Sequence, residues 1–300
     1  MTEEKATNMD AHSLCCIGYI TKDKIVTPNN TVDMPGGTSF YFAHAIKHLN
    51  ADDFLLVTAL ADEDIQVIED IRSEGIEVKA LPSTHSVCFE NIYGENQNER
   101  TQRVTAQADP FTVEGLQDVN ARIIHLGSLL ADDFSLDVIR YLSRKGLLSV
   151  DVQGFLRKVD HEKVLPVDWP EKKEALKYID ILKANESEME VLTHCSDPRE
   201  AALLIADWGV KEVLLTLGDK GSLIYAQGQF HEIPAYPAMQ IVDATGCGDT
   251  YMVGYLHRRN KGASYKEAGC YAAAMCTIKL QSHGPFCGTE EEIESYVSQL

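Results

Sequence analysis

No apolar run in this chain approaches the roughly 20 residues a helix needs to cross a bilayer, so no membrane span is expected. The N-terminus lacks the basic-then-apolar order of a secretory leader, and residues 1–13 are expected to form a polar tail. Positive charge is scarce: 27 Lys and Arg stand against 46 Asp and Glu, a formal charge of −19 and a pI near 4.9. A nucleic-acid surface would need a basic stripe, so that class is excluded, and an anionic ligand must be held by backbone dipoles and a few local cations. The eight cysteines show no C-x-x-C pair and no zinc spacing, and thiols scattered among apolar neighbours fit a reducing cytoplasm. G-x-x-x-x-G-K-[ST] is absent and no G-x-G-x-x-G follows the first strand, which disfavours Walker-type NTPases and dinucleotide enzymes. No composition break marks a linker, so the 300 residues, 44% hydrophobic, read as one domain over 1–300 with an appendage.

What the chain does have is a late junction, Ile241 to His257. Two β-branched residues lead into a turn holding Gly246 and Gly248, and a helical pattern follows with Met252, Val253 and Leu256 on one side. A helix start presents unpaired N–H groups and the positive end of the macrodipole to one point, which makes an anion site. Glycine lets a phosphate approach the backbone. Asp249 falls in the first helical turn, where a carboxylate would repel a resting anion. Its presence is explained if it accepts the proton of a hydroxyl that attacks phosphorus. The plainer alternative is a Gly-rich turn and an Asp N-cap, which many helices have.

Elsewhere a strand–helix–strand rhythm predicts a parallel sheet with helices on both faces. Strands are expected at Leu14–Ile20, Phe54–Leu60, Ile76–Leu81, Arg122–Gly127 and Leu147–Asp151. Asp62–Glu74 reads as a helix with Ile65, Ile68 and Ile71 inward and Gly75 as its C′ residue. Pro35-Gly36-Gly37 opens another helix running to Leu49, capped by Thr38 or Ser39. Strand-like runs near 21–35 and 84–106, with turns at Asn29-Asn30 and Gly94–Glu99, interrupt the rhythm and predict a small separate sheet.

Asp243-Ala-Thr-Gly-Cys-Gly-Asp249 resembles the C-terminal signature of the ribokinase-like (PfkB) carbohydrate kinases, usually D-T-x-G-A-G-D, with Cys247 in place of alanine. The resemblance spans residues 14–290 and implies an α/β three-layer sandwich: a mostly parallel central sheet flanked by helices, with the small sheet as a lid over a sugar pocket. It implies an ATP-dependent kinase of a small polyhydroxylated substrate, cytoplasmic, with ATP and Mg²⁺ as cofactors. In this reading Asp249 is the catalytic base, and the N–H groups of Gly246, Cys247 and Gly248 receive the phosphoryl charge. Asp23, Gly36, Gly37, Gln153 and Arg157 would bind the substrate. Gly36-Gly37 departs from the ribokinase form G-G-x-x-x-N because Tyr41 takes the asparagine position, which argues against ribose. Asp151-Val-Gln-Gly-Phe-Leu-Arg157 looks more like members that phosphorylate myo-inositol than like fructose kinases, and nucleosides stand as a further alternative.

Asn185 and Glu188 match the family's N-x-x-E, which would make Asn185 a phosphate-side ligand and Glu188 a water-mediated organiser of Mg²⁺. Thr216, Gly218 and Gly221 match its T-x-G-x-x-G nucleotide loop. Many members carry a K⁺ site, here at Asp243 and Thr245 beside the loop Gln281–Gly288, and many pair as homodimers through the lid. From a different class, the same fold could serve as a sugar sensor that binds without transferring phosphate.

Overall fold

The computed structural model describes residues 12–27, 30–49, 51, 53–93 and 100–298; most of the expected polar tail, Asn29 of the first turn and the whole 94–99 turn lie outside them. In chain order the strands are β1 (His12–Gly18), β2 (Thr21–Thr27), β3 (Asn30–Gly36), β4 (Phe54–Leu60), β5 (Glu77–Pro82), β6 (Val87–Tyr93), β7 (Arg100–Ala106) and β8 (Ala121–Gly127). They continue with β9 (Leu147–Asp151), β10 (Arg157–Asp160), β11 (Lys163–Pro166), β12 (Ile181–Asn185), β13 (Glu212–Thr216), β14 (Ser222–Ala226) and β15 (Gln229–Ile233). The helices are α1 (Gly37–Lys47), α2 (Gln66–Ser73), α3 (Leu136–Leu142), α4 (Lys172–Ala175), α5 (Glu186–Thr193), α6 (Pro198–Asp207), α7 (Cys247–Asn260), α8 (Tyr265–Lys279) and α9 (Glu290–Val297).

Nine strands form the main sheet in the order β15-β14-β13-β12-β9-β8-β1-β4-β5. Its strands run parallel except at the β13–β14–β15 edge. Successive side chains of a strand leave opposite faces, and β1 shows the result. Cys15 and Ile17 enter one core with Leu142, Leu192 and Ile205, whereas Leu14 and Cys16 enter the other with Phe42, Tyr255 and Met275. These two apolar layers against one sheet make the three-layer sandwich. Ala272 and Ala274 have no exposed surface, and an added Cβ on Gly254 of α7 would stand 2.7 Å from Met275 Sδ of α8. The two helices therefore approach as closely as small residues permit.

A second sheet, ordered β10-β11-β7-β6-β2-β3, holds the runs that interrupt the rhythm. Its β10 and β11 were not legible in the sequence: four residues each, and β11 closes on Pro166, which cannot donate to a ladder. Two helix readings are corrected. Helix α1 has Gly36, not Thr38 or Ser39, at its N-cap, without a side-chain cap, because Thr38 and Ser39 are themselves buried in its first turn. Ile65 is 42% exposed, since a 3₁₀ turn over Asp62–Asp64 shifts the helical phase before α2 begins.

Candidate functional site

The parallel strands β8, β9 and β12 end on the same side as the start of α7, the edge where open α/β sheets bind ligands. Helix α7 starts at Gly246, whose φ of 75° is left-handed and needs glycine, and no side chain caps the end. A second reason for glycine is steric: a Cβ there would run into the ring of Tyr41. The Cys247 N–H bonds the Ala244 carbonyl at 3.2 Å, so one of the three donors expected for the anion site is engaged in the turn itself. Burial pushes the Cys247 thiol up to about 11, so it sits there as a small neutral packing group.

Asp249 follows in the first turn. Burial pushes its carboxyl up to about 7, the charge of Asp151 adds to this, and Lys183 and the facing Thr38 hydroxyl pull the other way. Lys183 comes from mid-β12 and is buried; its Nζ stands 2.8 Å from Asp151 Oδ2 and 3.7 Å from Glu188 Oε2. Burial alone would lower the ammonium's pKa, but the attraction of Asp151 and Glu188 outweighs it and holds the lysine charged. Glu188 lies in a capping box with Asn185: its Oε2 accepts the Asn185 N–H at 2.8 Å, while Asn185 Oδ1 accepts the Glu188 N–H at 2.9 Å. Its other oxygen accepts from Gln153 Nε2 at 3.4 Å.

A cavity of about 900 Å³ opens against this turn. Asn185, Thr216, Gly218, Gly221, Cys247 and Gly248 line its polar end, and Tyr236, Pro237, Ala238, Ala273 and Leu280 its apolar walls. Asp249 does not line it; its carboxyl faces the first turn of α1, on the other side of the loop. On that side Asp23 Oδ1 accepts the Thr21 hydroxyl at 2.6 Å, and a Cβ on Gly36 would stand 2.5 Å from Asp23 Oδ2. Gly37 has φ 83° and packs on the Tyr19 carbonyl. Arg157 lies at the start of β10 in the second sheet rather than in a loop after β9.

The resemblance implies two cations, magnesium and potassium, at these residues. Among the described residues no three His, Cys, Asp or Glu side chains form a metal cage. Glu188 keeps acceptor sites on both oxygens, but it is buried, 3.7 Å from the Lys183 ammonium and not among the cavity-lining residues, so it would meet a magnesium ion only through water. Potassium does not fit. Lys279 Nζ, fully buried, stands 2.9 Å from the Asp243 carbonyl and 3.1 Å from Asp243 Oδ2, and the Thr245 N–H bonds Asp243 Oδ1 at 2.9 Å. Burial alone would raise the Asp243 pKa, but hydrogen bonds from Thr245 and Lys279 together hold it below the ordinary carboxylate range.

Compared with known proteins, residues 12–291 match the family model of the pfkB family carbohydrate kinases, and the chain belongs to that family of phosphotransferases with a hydroxyl acceptor. It is 30% identical over 241 residues to the ribokinase of Arabidopsis thaliana, covering 77% of this chain and 59% of that protein. It is 25% identical to the cytidine kinase of Thermococcus kodakarensis, over 85% of this chain and 91% of that one. Among solved structures, a pyrophosphate-dependent kinase of the ribokinase family in a sulfate complex superposes with a TM-score of 0.84 at 31% identity, covering 94% of this chain and 99% of that one. The described residues contain no helix long and apolar enough to cross a membrane.

Sequence reasoning missed Lys183 and Lys279 as site residues. The signal was present in both cases: a lysine inside an apolar stretch, Ile181-Leu-Lys-Ala and Thr277-Ile-Lys-Leu, is a buried charge that must have partners.

Proposed function

We propose that this chain transfers the terminal phosphoryl group of ATP to a hydroxyl of a small polyol, with myo-inositol or a close relative as acceptor. The observation that carries the reading is the position of Asp249: a carboxyl near pKa 7 at a helix start, with a nucleotide-sized cavity on one side of its loop and Asp23 on the other. A base poised near neutrality takes the acceptor's proton efficiently. The N–H groups at the start of α7, Gly248 foremost, receive the charge that grows on the phosphoryl oxygens. Magnesium, which this family generally uses, would be held through Glu188 by way of water and supplies charge neutralisation of the triphosphate. Asn185, Thr216, Gly218 and Gly221 take the donor; Asp23, Gly36, Gly37, Gln153 and Arg157 take the acceptor, beneath the second sheet as a lid that keeps water out.

The apolar walls at Tyr236, Pro237 and Ala238 favour a donor with a base, because pyrophosphate would leave that part of the cavity empty. The second reading, a pyrophosphate donor, draws on a solved structure 30% identical over 94% of this chain: a pyrophosphate-dependent kinase of this family complexed with a pyrophosphate analogue and myo-inositol. One experiment tests the reading: phosphorylation of myo-inositol, fructose, ribose and nucleosides, each with ATP and with pyrophosphate. Product from ATP and a cyclitol is expected; no turnover with any pair would leave the sugar-sensor reading.

A further inference from the structure

Lys279 closes α8 in an otherwise apolar stretch, and none of its surface reaches solvent. Its three ammonium protons meet three oxygens: the Asp243 carbonyl at 2.9 Å, Asp243 Oδ2 at 3.1 Å and the Ser282 carbonyl at 3.4 Å. The acceptors come from two loops, one entering α7 and one leaving α8. Other bonds stitch the same loops: Val242 N–H to the Leu280 carbonyl at 2.7 Å and Gly284 N–H to Asp243 Oδ2 at 3.3 Å. Two carbonyls and a carboxylate oxygen around one positive centre are also what a large monovalent cation takes from a protein. An ammonium group and a potassium ion are of nearly equal size, so the cage cannot hold both.

We propose that Lys279 is a built-in monovalent cation, tethered by its own side chain, which holds the Asp243–Gly246 turn and thereby positions the α7 N–H groups. It makes phosphoryl transfer independent of added potassium. The proposal rests on the reading of that turn as the donor-phosphate site. The physical gain is preorganisation: the helix start keeps its aim without the entropy of recruiting a free ion. Lys279 touches no reacting atom and acts through Asp243 and the turn, so it is a positioning residue.

The test compares the full-length protein in potassium, ammonium and choline chlorides at equal ionic strength, by thermal unfolding and by initial rate. For the unaltered chain, melting temperature and rate are expected to agree among the salts, the rates within about twofold. A specific rise of either with potassium overturns the proposal. Lys279→Ala in choline should lose rate by about 10²-fold, as a misplaced site does. Potassium or ammonium should restore about tenfold or more of it and raise the melting temperature, because an ion that binds only the folded state stabilises it. A lysine that serves packing alone gives a variant no small cation rescues, and that result sinks the proposal. If the variant folds only with a cation present, recovery in ammonium counts for it and recovery in neither salt against it. The unfolding measurement needs neither donor nor acceptor, so it stands even if the kinase reading fails.

Discussion

The ammonium of Lys183 lies directly behind Gly248: a Cβ built on that glycine would stand 3.0 Å from Nζ and 3.8 Å from Asp151 Oδ2. The glycine therefore leaves room for a buried cation and, in the proposed reaction, for an incoming phosphate. Gly248→Val puts branched carbon against that ammonium and should lower kcat by about 10²-fold through misplacement of the helix start. Donor affinity should fall with it. Unchanged kinetics would show that the space behind Gly248 has no bearing on the reaction.

Removing the cation itself is the sharper change. Lys183→Met strands the Asp151 and Glu188 carboxylates in a buried site, and breaking a buried pair costs about 3–5 kcal/mol. Denaturant unfolding measures this. Adding Asp151→Asn to Lys183→Met should recover part of the loss, and strict additivity of the two changes would contradict their coupling.

Asp249→Asn should cut kcat by about 10²–10⁴-fold with donor affinity nearly unchanged. Turnover within a few-fold of the original would remove the base assignment. Stability should move the opposite way. The folded carboxyl is pushed up to about 7, above the ordinary aspartate value of 3.8, so the folded state binds the extra proton and loses stability as pH rises through that window. The asparagine variant should thus melt higher than the parent at pH 8, and the gap should close towards pH 4.

The same raised carboxyl sets the pH profile. The base must be ionised, so kcat/KM should fall about tenfold per unit of pH below an acid limb near 7. A limb near 4, the ordinary carboxylate range, would mean that the group is solvated in the working enzyme.

Donor choice is open to a steric test at Ala273, which lines the cavity together with Tyr236 and Leu280. Ala273→Phe fills the apolar end and should raise the KM for ATP by about tenfold or more while leaving any use of pyrophosphate untouched. Equal losses for both donors would place the obstruction at the phosphates instead.

Local signals accounted for a good part of this protein. Alternation of apolar runs and helical periods showed the parallel sheet, because each strand and helix declares its buried face within its own few residues. Gly246 and Gly248 with Asp249 were legible as a glycine-bracketed helix start, because a helix start and its glycines are adjacent in the chain. The edges of β10 and β11 were not, since four-residue strands take their stability from neighbours rather than from their own pattern.

The charges inside were decided only by the tertiary structure. Lys183 sits one strand away from Asp151, and Lys279 sits 36 positions beyond the Asp243 it clasps. From the sequence alone each lysine is a misfit in an apolar stretch, and its partner is any of 46 acidic residues. Strand order brings one pair together and the packing of α7 on α8 the other, because a Coulomb attraction inside a low-dielectric core depends on separation in space and not along the chain.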